Sequence, residues 1–452
     1  MLHTMTSISS YSVLRNVALT ATSSRSFSFF APTLAGGKGL VKKSLPKVGL
    51  KKAAKKSKSF TRKGEGRGAT FIGKKAFNLR YALASELPDM GDFMRLHPEN
   101  YIANNVGRAT TFPRSAYQQL QAFGLPRKLD KELATSGAPA SVIRQQTIDL
   151  VQAMNSAKAG SSKDARYMIT GEKGSGKSML LIQTVAYCLE SGWIVLYDPR
   201  AATWIDSSAP YTYHAPSKTF HQPTIASNLL ANLLTVNAQK LAQIRIEKAM
   251  SLGEQQFGSD TRLIDLVRLG SNEKLAVDVL ASVLDVLSTQ TQFPVLFALD
   301  EVHALFQQTT YRAPDYSPIE SYSLSAPLLA LDYLTGRKSL SHGAILSALS
   351  YSIPDVHVPP ILLAALDLPS SQPITPYMRY DPHHLAHASS GIKKVEVPFG
   401  MNSGEAAGLF EIWARKGWAS TRPSDELFMS AFVAAAGNPK EMGRALTYNF
   451  WA

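Results

Sequence analysis

The chain has 452 residues, of which 45% are hydrophobic, so it is long enough and apolar enough to bury a sizeable core in one or two domains. No apolar run approaches the roughly 18 residues that span a bilayer, which argues against membrane insertion. The single cysteine, Cys188, excludes a disulfide within the chain and suits a reducing compartment. The formal net charge is +14, and its position along the chain matters more than its size.

Residues 1–27 are predicted to be a mitochondrial targeting peptide. The first 37 residues contain no Asp, Glu or Lys, but they contain Arg15, Arg25 and eight serines. This acid-poor, Ser-rich and Arg-bearing composition is typical of a mitochondrial presequence. The residues around Phe27 also resemble a matrix-protease site with an arginine two positions earlier. An ordinary disordered N-terminus is the alternative.

Residues 28–77 are predicted to be a disordered or extended basic arm. Segment 38–75 holds 14 Lys/Arg and one Glu, so almost the whole net charge of the chain is concentrated there. Such a segment buries too little apolar surface to fold alone, and its charge suits a phosphate backbone. We therefore predict contact with RNA, with a solvated linker or an extended presequence as the alternatives. Residues 78–140 are predicted to be an irregular extension packed on the main domain.

A complete phosphate-binding motif follows a short β-like run at Arg166–Thr170. The glycines allow backbone N–H groups to converge on phosphates, and the helix that follows offers its positive dipole end. Lys177 can reach the β- and γ-phosphates, and the Ser178 hydroxyl can ligate Mg²⁺. The motif fits G-x-x-x-x-G-K-[ST] in full, and we predict that all eight of its residues bind a nucleoside triphosphate. They are Gly171, Glu172, Lys173, Gly174, Ser175, Gly176, Lys177 and Ser178.

An acidic element is predicted at the end of the apolar run Val295–Leu299. A run of this length is typical of a buried parallel strand, whose carboxyl end would lie beside the phosphate-binding motif. Asp300 is expected to hold Mg²⁺ together with Ser178. Glu301 is the tentative catalytic residue, placed to polarise an attacking water. A solvated acid at the end of a strand is the alternative interpretation of Glu301.

The wider pattern predicts an α/β fold: a P-loop NTPase, AAA+-like, with a parallel sheet flanked by helices. The core is predicted to span 141–400 and to contain two long loop insertions, 309–330 and 351–390. A trio of histidines in the second insertion is a candidate metal site without any accompanying cysteine. Further strands are predicted at 193–198, 343–350 and 392–398, and helices at about 224–250 and 261–288.

Residues 401–452 are predicted to form a C-terminal helical lid. Ser403 is expected to cap its first helix, Gly404–Lys416, and two further helices are predicted at Ser424–Ala436 and Lys440–Tyr448. The segment Gly437-Asn438-Pro439 resembles the Gly-x-Pro segment by which lids of AAA+ ATPases approach the nucleotide. A plain turn between helices is the alternative.

From residue 140 to the end, the chain resembles the death-associated protein 3 family of mitochondrial small-subunit ribosomal proteins. The most specific parts of the resemblance are the phosphate-binding motif and the stretch 299–306, with its Asp-x-x-x-Ala-Leu pattern. Thr310 and Tyr311 follow that stretch and favour this family over generic AAA+ ATPases.

The resemblance implies an AAA+-like protein in the head of the mitochondrial small subunit, close to the large subunit. It implies contacts with small-subunit rRNA and with neighbouring ribosomal proteins. It also implies GTP or GDP at 171–178, with Mg²⁺ near Asp300. The sequence has no Asn-Lys-x-Asp motif, so nothing in it selects guanine over adenine, and ATP remains open. In the family an acid after the Asp is not a dependable feature, so hydrolysis is expected to be slow at most and the nucleotide mainly structural.

A free matrix ATPase or GTPase of AAA+ type, acting as a remodelling or assembly factor, is the competing hypothesis. A working AAA+ ring needs an arginine finger at a subunit interface. Arg312 and Arg337 are candidates for that role, but sequence alone does not place them.

Overall fold

The computed structural model describes residues 90, 92–134, 139–253, 255–351, 356–370, 377, 380–418 and 422–448. The predicted targeting peptide and basic arm lie outside the described residues, as does the start of the predicted extension. Among the helices of the described part of the chain, none is long and apolar enough to cross a membrane.

The described residues form fourteen strands and thirteen α-helices. The strands are β1 (Met94–Arg95), β2 (Ala109–Thr111), β3 (Ala140–Val142), β4 (Arg166–Thr170), β5 (Ile194–Asp198), β6 (Thr212–His214), β7 (Thr219–His221), β8 (Met250–Leu252), β9 (Gln255–Phe257), β10 (Val295–Leu299), β11 (Gln308–Arg312), β12 (Pro318–Glu320), β13 (Gly343–Ala348) and β14 (Lys393–Glu396). The helices are α1 (Arg114–Phe123), α2 (Arg127–Ala134), α3 (Gln145–Ala157), α4 (Lys177–Glu190), α5 (Pro223–Leu241), α6 (Leu263–Leu269), α7 (Ala276–Thr289), α8 (Ser325–Leu334), α9 (Pro360–Ala365), α10 (Pro382–Ala388), α11 (Ser403–Arg415), α12 (Asp425–Ala434) and α13 (Pro439–Tyr448).

The central element is a five-stranded sheet with the order β14-β4-β13-β10-β5. Every neighbouring pair in it is parallel, as predicted from the alternation of strands and helices. Strand β10 is buried along its whole length, and its last residue, Leu299, pairs with Asp198 on one side and Ser347 on the other. The residue after Leu299 therefore emerges at the carboxyl edge of the sheet.

Helices cover both faces of this sheet. Successive residues of a strand point to opposite faces, so alternate residues of β10 pack against different helices. Val295, Phe297 and Leu299 pack in one cluster with residues of α5, α6, α7 and α8. Leu296 and Ala298 pack in a second cluster with residues of α1, α3 and α4. The predicted parallel sheet flanked by helices is thus confirmed.

Strand β5 forms one edge of the sheet, and a side chain closes that edge. Asn237 of α5 has non-helical dihedral angles (φ −111°, ψ 16°) and is buried. Its Nδ2 donates to the carbonyl of Val195 at 2.9 Å, and its Oδ1 accepts the N–H of Val195 at 3.0 Å. The amide thus occupies the N–H and the carbonyl of Val195, which a further strand would need for pairing there.

The two long predicted helices are shorter than predicted. Helix α5 ends at Leu241, well before residue 250, because the chain then turns to an extended contact in which Ile246 N–H donates to Thr261 O at 2.9 Å. The predicted helix 261–288 is divided into α6 and α7. Gly270 at the break packs so closely on α5 that a Cβ there would lie 2.3 Å from Leu230 Cδ1.

The predicted loop insertions 309–330 and 351–390 contain regular structure, which the Pro- and Ser-rich composition concealed. The first contains most of the antiparallel hairpin β11–β12 and the start of α8. Its apolar residues Tyr311, Ile319 and Leu324 are buried in a small cluster of their own. The described part of the second contains α9 and α10.

The described part of the predicted extension is more regular than predicted, since β1, β2 and β3 form a small sheet beside α1 and α2. Met90, Phe93, Ala109 and Ala140 share a cluster with the C-terminal helices α11, α12 and α13. The apolar residues of α1 and α2 pack instead in the cluster that contains Leu296 and Ala298. The cap of α11 is Asn402, whose side chain accepts Glu405 N–H at 2.7 Å, and not the predicted Ser403. Ser403 is already the first residue of the helix. Ser424 caps α12 by accepting Leu427 N–H at 3.2 Å.

Candidate nucleotide-binding site

The glycine-rich loop lies between β4 and α4, at the carboxyl edge of the central sheet. Its glycines have positive φ angles, namely Gly171 at 139°, Gly174 at 86° and Gly176 at 98°. A Cβ on Gly171 would lie 2.5 Å from Val397 O, and one on Gly174 would lie 2.7 Å from Asn438 Oδ1. Neither position accepts a side chain, so both glycines are required by close approach as well as by backbone conformation.

The Lys177 amine lies within the loop. Its Nζ donates to the carbonyls of Gly171 at 2.8 Å and Glu172 at 2.7 Å, and it lies 5.1 Å from the centre of the Tyr351 ring. Burial lowers the pKa of Lys177 to about 8, although Asp300 and Glu172 favour the charged form. Both of these hydrogen bonds go to neutral carbonyls, so this buried cation is suited to accept an anionic ligand.

Asp300 lies next to this amine, on the residue that follows β10. Its carboxyl group is buried, accepts a hydrogen bond from the Ser178 side chain, and accepts Glu301 N–H at 2.8 Å. Burial raises the pKa of Asp300 to about 6, against the opposing effects of Ser178 and Lys177. A hydroxyl and a carboxylate in contact are the oxygen ligands that Mg²⁺ prefers, so the residues present fit the predicted metal.

Glu301 is half-buried and has φ 60°, in the left-handed region. Burial and then the neighbouring Asp300 raise the pKa of Glu301 to about 8, while Arg200 opposes the shift. The structure places Glu301 next to Asp300 at the carboxyl edge of the sheet, and its catalytic role stays a prediction.

Asp198 and Arg200 at the end of β5 belong to the same edge, and neither residue was predicted as part of the site. Arg200 N–H donates to Asp198 Oδ1 at 2.7 Å, and Trp204 Nε1 donates to Asp198 Oδ2 at 3.2 Å. Burial raises the pKa of Asp198, against these hydrogen bonds. The sequence did contain one indication of this role, because Asp198 is an acidic residue at the end of the predicted strand 193–198, which follows the P-loop closely in the chain.

The segment Gly437-Asn438-Pro439 contacts the glycine-rich loop. Asn438 is fully buried, and its Nδ2 donates to the carbonyls of Lys173 and Phe399, both at 3.3 Å. The structure thus brings this part of the lid to the loop that is predicted to hold the phosphates.

Arg144 and Glu405 also reach the loop. Arg144 Nη1 donates to Ser175 O at 2.6 Å, and Arg144 Nε lies 3.2 Å from Glu405 Oε2. Because 261 positions separate the two partners, no local pattern in the sequence indicates this contact.

Arg312 and Arg337 are exposed, and Arg337 lies 3.9 Å from Asp332. Among the described residues, no group of three or more His, Cys, Asp or Glu is arranged to hold a metal ion. The three histidines considered as a metal site lie on α10. Their rings all lie near that of Tyr322, and one of them bonds Glu320. These histidines are His383, His384 and His387.

Replacing Asp300 with Asn should stabilise the nucleotide-free protein at high pH. The folded state raises the pKa of this carboxyl from 3.8 to about 6, so the folded protein holds the proton more tightly than the unfolded chain. The ionised group therefore costs stability as the pH rises from 4 through 6, and the neutral amide avoids this cost of about 3 kcal/mol.

Urea unfolding of both proteins at several pH values checks this. The stability difference should be largest at pH 8 and shrink as the pH falls below 6. Asp164→Asn is the control, since Asp164 is exposed, and it should show no such trend. A loss of stability in Asp300→Asn that is equal at every pH would contradict the expectation.

The order of the strands defines the class of protein. Strand β13 lies between the P-loop strand β4 and the acidic strand β10, which is the arrangement of an AAA+-like P-loop NTPase fold. A sequence profile of the family described as mitochondrial ribosomal death-associated protein 3 matches residues 141–445. The chain belongs to this family, which confirms the resemblance noted from the motifs.

Individual relatives agree with the family profile. The small ribosomal subunit protein mS29 of Neurospora crassa is 25% identical over 359 residues, which cover 74% of this chain and 73% of that protein. The mouse protein of the same name is 27% identical over 234 residues, covering 50% of this chain and 60% of that protein. Among solved structures, that of the Aeropyrum pernix ORC2 protein is similar with 15% identity and a TM-score of 0.33, covering 67% of this chain and 60% of that chain.

Proposed function

We propose that this chain is a component of the mitochondrial small ribosomal subunit that holds a guanine nucleotide with Mg²⁺ at residues 171–178. In that role it contacts small-subunit rRNA and neighbouring ribosomal proteins, and it lies close to the large subunit. The family of the chain and the names of its relatives support the ribosomal part of the proposal. The preference for guanine follows from the family resemblance of the motifs.

Three segments of the chain meet at the glycine-rich loop, and this observation carries the structural role of the nucleotide. Arg144 reaches the loop from the extension side, Asn438 from the lid, and Val397 from the end of β14. A ligand bound here would stabilise the contacts of all three, because a ligand that binds only the folded state adds its binding free energy to stability. We therefore propose a mainly structural nucleotide and, at most, slow hydrolysis.

Bound nucleotide would be held by the chain's own groups. The backbone N–H groups of the loop and the Lys177 amine would hold the phosphates, and Ser178 and Asp300 would hold Mg²⁺. The metal would supply neutralising charge between the phosphate oxygens. Glu301 would lie beside the metal as the tentative base.

The direct test is to identify the nucleotide that purified protein or purified small subunits release on denaturation. We expect GTP or GDP in about equimolar amount with Mg²⁺. Adenine nucleotide would reject the choice of base, and a cradle that stays empty with both purine triphosphates in excess would reject the proposal. Sedimentation of mitochondrial lysate separates the ribosomal role from a free AAA+-type factor, since only the former predicts cosedimentation with the small subunit in moderate salt.

Deleting residues 38–75 should weaken association with the small subunit and reduce its dependence on salt. Every phosphate that the arm no longer neutralises lowers the slope of log affinity against log salt by about one. The measurement is the fraction of the chain that sediments with small subunits between low and moderate salt. An unchanged slope would reject RNA binding by the arm, which lies outside the described residues.

A further inference from the structure

A buried ion pair lies directly behind the phosphate loop. Arg144 precedes α3, and Glu405 lies in the first turn of α11; their side chains are 9% and 4% exposed, and Nε and Oε2 are 3.2 Å apart. Two further polar groups of the pair are bonded, since Arg144 Nη1 donates to Ser175 O at 2.6 Å and Glu405 Oε1 accepts Gln145 N–H at 3.2 Å. The pair therefore joins the loop to the lid.

The bond to Ser175 fixes the direction of one peptide group of the loop. A trans peptide is planar, so its carbonyl and its N–H point in opposite directions. When Arg144 holds the carbonyl of Ser175, the N–H of Gly176 must point away from Arg144. N–H groups that point into such a loop are what bind phosphate. A short bond from a charged donor is of the strong kind, so Arg144 holds this orientation before any ligand arrives.

Arg144 is itself held by the helix that follows the loop. Its N–H donates to Thr147 Oγ1 at 3.2 Å, and the Thr147 hydroxyl donates to Gln183 Oε1 at 2.8 Å. Gln183 is buried on α4, and its Nε2 donates to Val142 O at 2.8 Å. The backbone on both sides of Arg144 is thus tied to the same element that carries the phosphate site.

The first turn of α11 is held at this place by close packing as well. A Cβ on Gly408 would lie 2.1 Å from Gly107 O, and one on Gly107 would lie 3.1 Å from the carbonyl carbon of Gly404. The carboxylate of Glu405 therefore reaches Arg144 from a helix end with little freedom to shift.

We propose that Arg144 is a positioning residue of the nucleotide site and that Glu405 couples this site to the lid. Phosphate binding needs the loop in the orientation that Arg144 imposes, and Arg144 is held by Glu405 only when α11 is docked. Binding of nucleotide and docking of the lid therefore stabilise each other, by the same factor in both directions. This inference rests on the proposed function and deepens it.

The test compares the full-length chain with three variants and one control. The double variant Arg144→Met with Glu405→Leu replaces the pair by apolar groups of similar size, which is often neutral for stability. Glu405→Gln and Arg144→Lys change one partner each; a lysine keeps the charge but cannot reach two acceptors in different directions. Glu411→Gln is the control, since Glu411 lies on the same helix in an exposed pair with Arg415.

Titration with Mg–GDP and with Mg–ADP, in separate experiments, gives Kd, and urea unfolding without nucleotide gives stability. We expect the double variant to keep its stability while its Kd rises about tenfold for whichever nucleotide the wild-type chain binds, with the control unchanged. A merely structural pair would move Kd and stability together. In hydrogen exchange, nucleotide should slow the backbone amides of residues 403–408 in the wild-type chain and leave them unchanged in the double variant.

A double variant that binds nucleotide with the wild-type Kd would overturn this inference alone. If the double variant does not fold, wild-type Kd values in both single variants would overturn it. A wild-type chain that binds neither nucleotide would overturn the proposed function together with this inference. The two failures are therefore distinguished by the wild-type titration.

Discussion

Replacing Lys177 with alanine is expected to weaken nucleotide binding by about two orders of magnitude, which corresponds to about 3 kcal/mol. The amine is buried within the loop and is bonded only to the carbonyls of Gly171 and Glu172. When nucleotide binds, the Lys177 amine would donate hydrogen bonds to phosphate oxygens. Alanine removes the amine, so the phosphates lose these charge-assisted bonds. Because the nucleotide is proposed to stabilise the fold, the amount of Lys177→Ala protein assembled in small subunits should also fall.

Titration of purified protein with Mg–GDP measures the loss of affinity, and sedimentation of mitochondrial lysate measures assembly. Lys163→Ala is a suitable control, since Lys163 is exposed in the turn before β4. Normal assembly of Lys177→Ala protein with lost turnover would favour the enzymatic hypothesis over the structural one.

Replacing Gly343 with alanine is expected to lower the free energy of unfolding by about 4 kcal/mol, at the high end for a single substitution. Gly343 begins β13 with φ 139°, and a Cβ there would lie 1.9 Å from the carbonyl oxygen of Val295. Relief of that overlap requires separation of β13 from β10, the strand that leads to Asp300. The nucleotide site should therefore be damaged together with the stability.

Gly192→Ala separates the strain due to a positive φ angle from the strain due to close approach of a Cβ to a neighbouring atom. Gly192 also has a positive φ, 82°, but a Cβ there would meet no atom within 4 Å. Its replacement should cost only the left-handed backbone penalty, about 1 kcal/mol. Urea unfolding of both variants measures the difference, and equal losses would show that close approach to Val295 contributes nothing.

The elements with a local physical signature could be predicted from the sequence. The strand Val295–Leu299 was recognisable because a buried parallel strand is apolar on both faces, and its paired neighbours explain why. The phosphate loop was recognisable because its glycines are required by geometry. The fold class followed from these two features and the alternation of strands with helices.

The misjudged features depend on contacts between distant parts of the chain. The apolar spacing of 261–288 continues through Gly270, so only the packing of that glycine on Leu230 reveals the break between α6 and α7. Arg144 and Glu405 each look like an ordinary surface charge in their own segment. Their role arises when the start of the core and the lid come together at the loop, and no local pattern in the sequence indicates that contact.

The closure of the central sheet at both edges bears on how the chain behaves before assembly. At β5 the Asn237 amide bonds the backbone groups of Val195 that a neighbouring strand would use. At β14 the exposed Lys393 and Lys394 place like charges where another strand would have to pair. Before assembly, a ribosomal protein is surrounded by other copies of itself, and an open sheet edge would allow those copies to pair with it and aggregate. Neither edge strand of the described sheet therefore favours pairing with a strand of another copy.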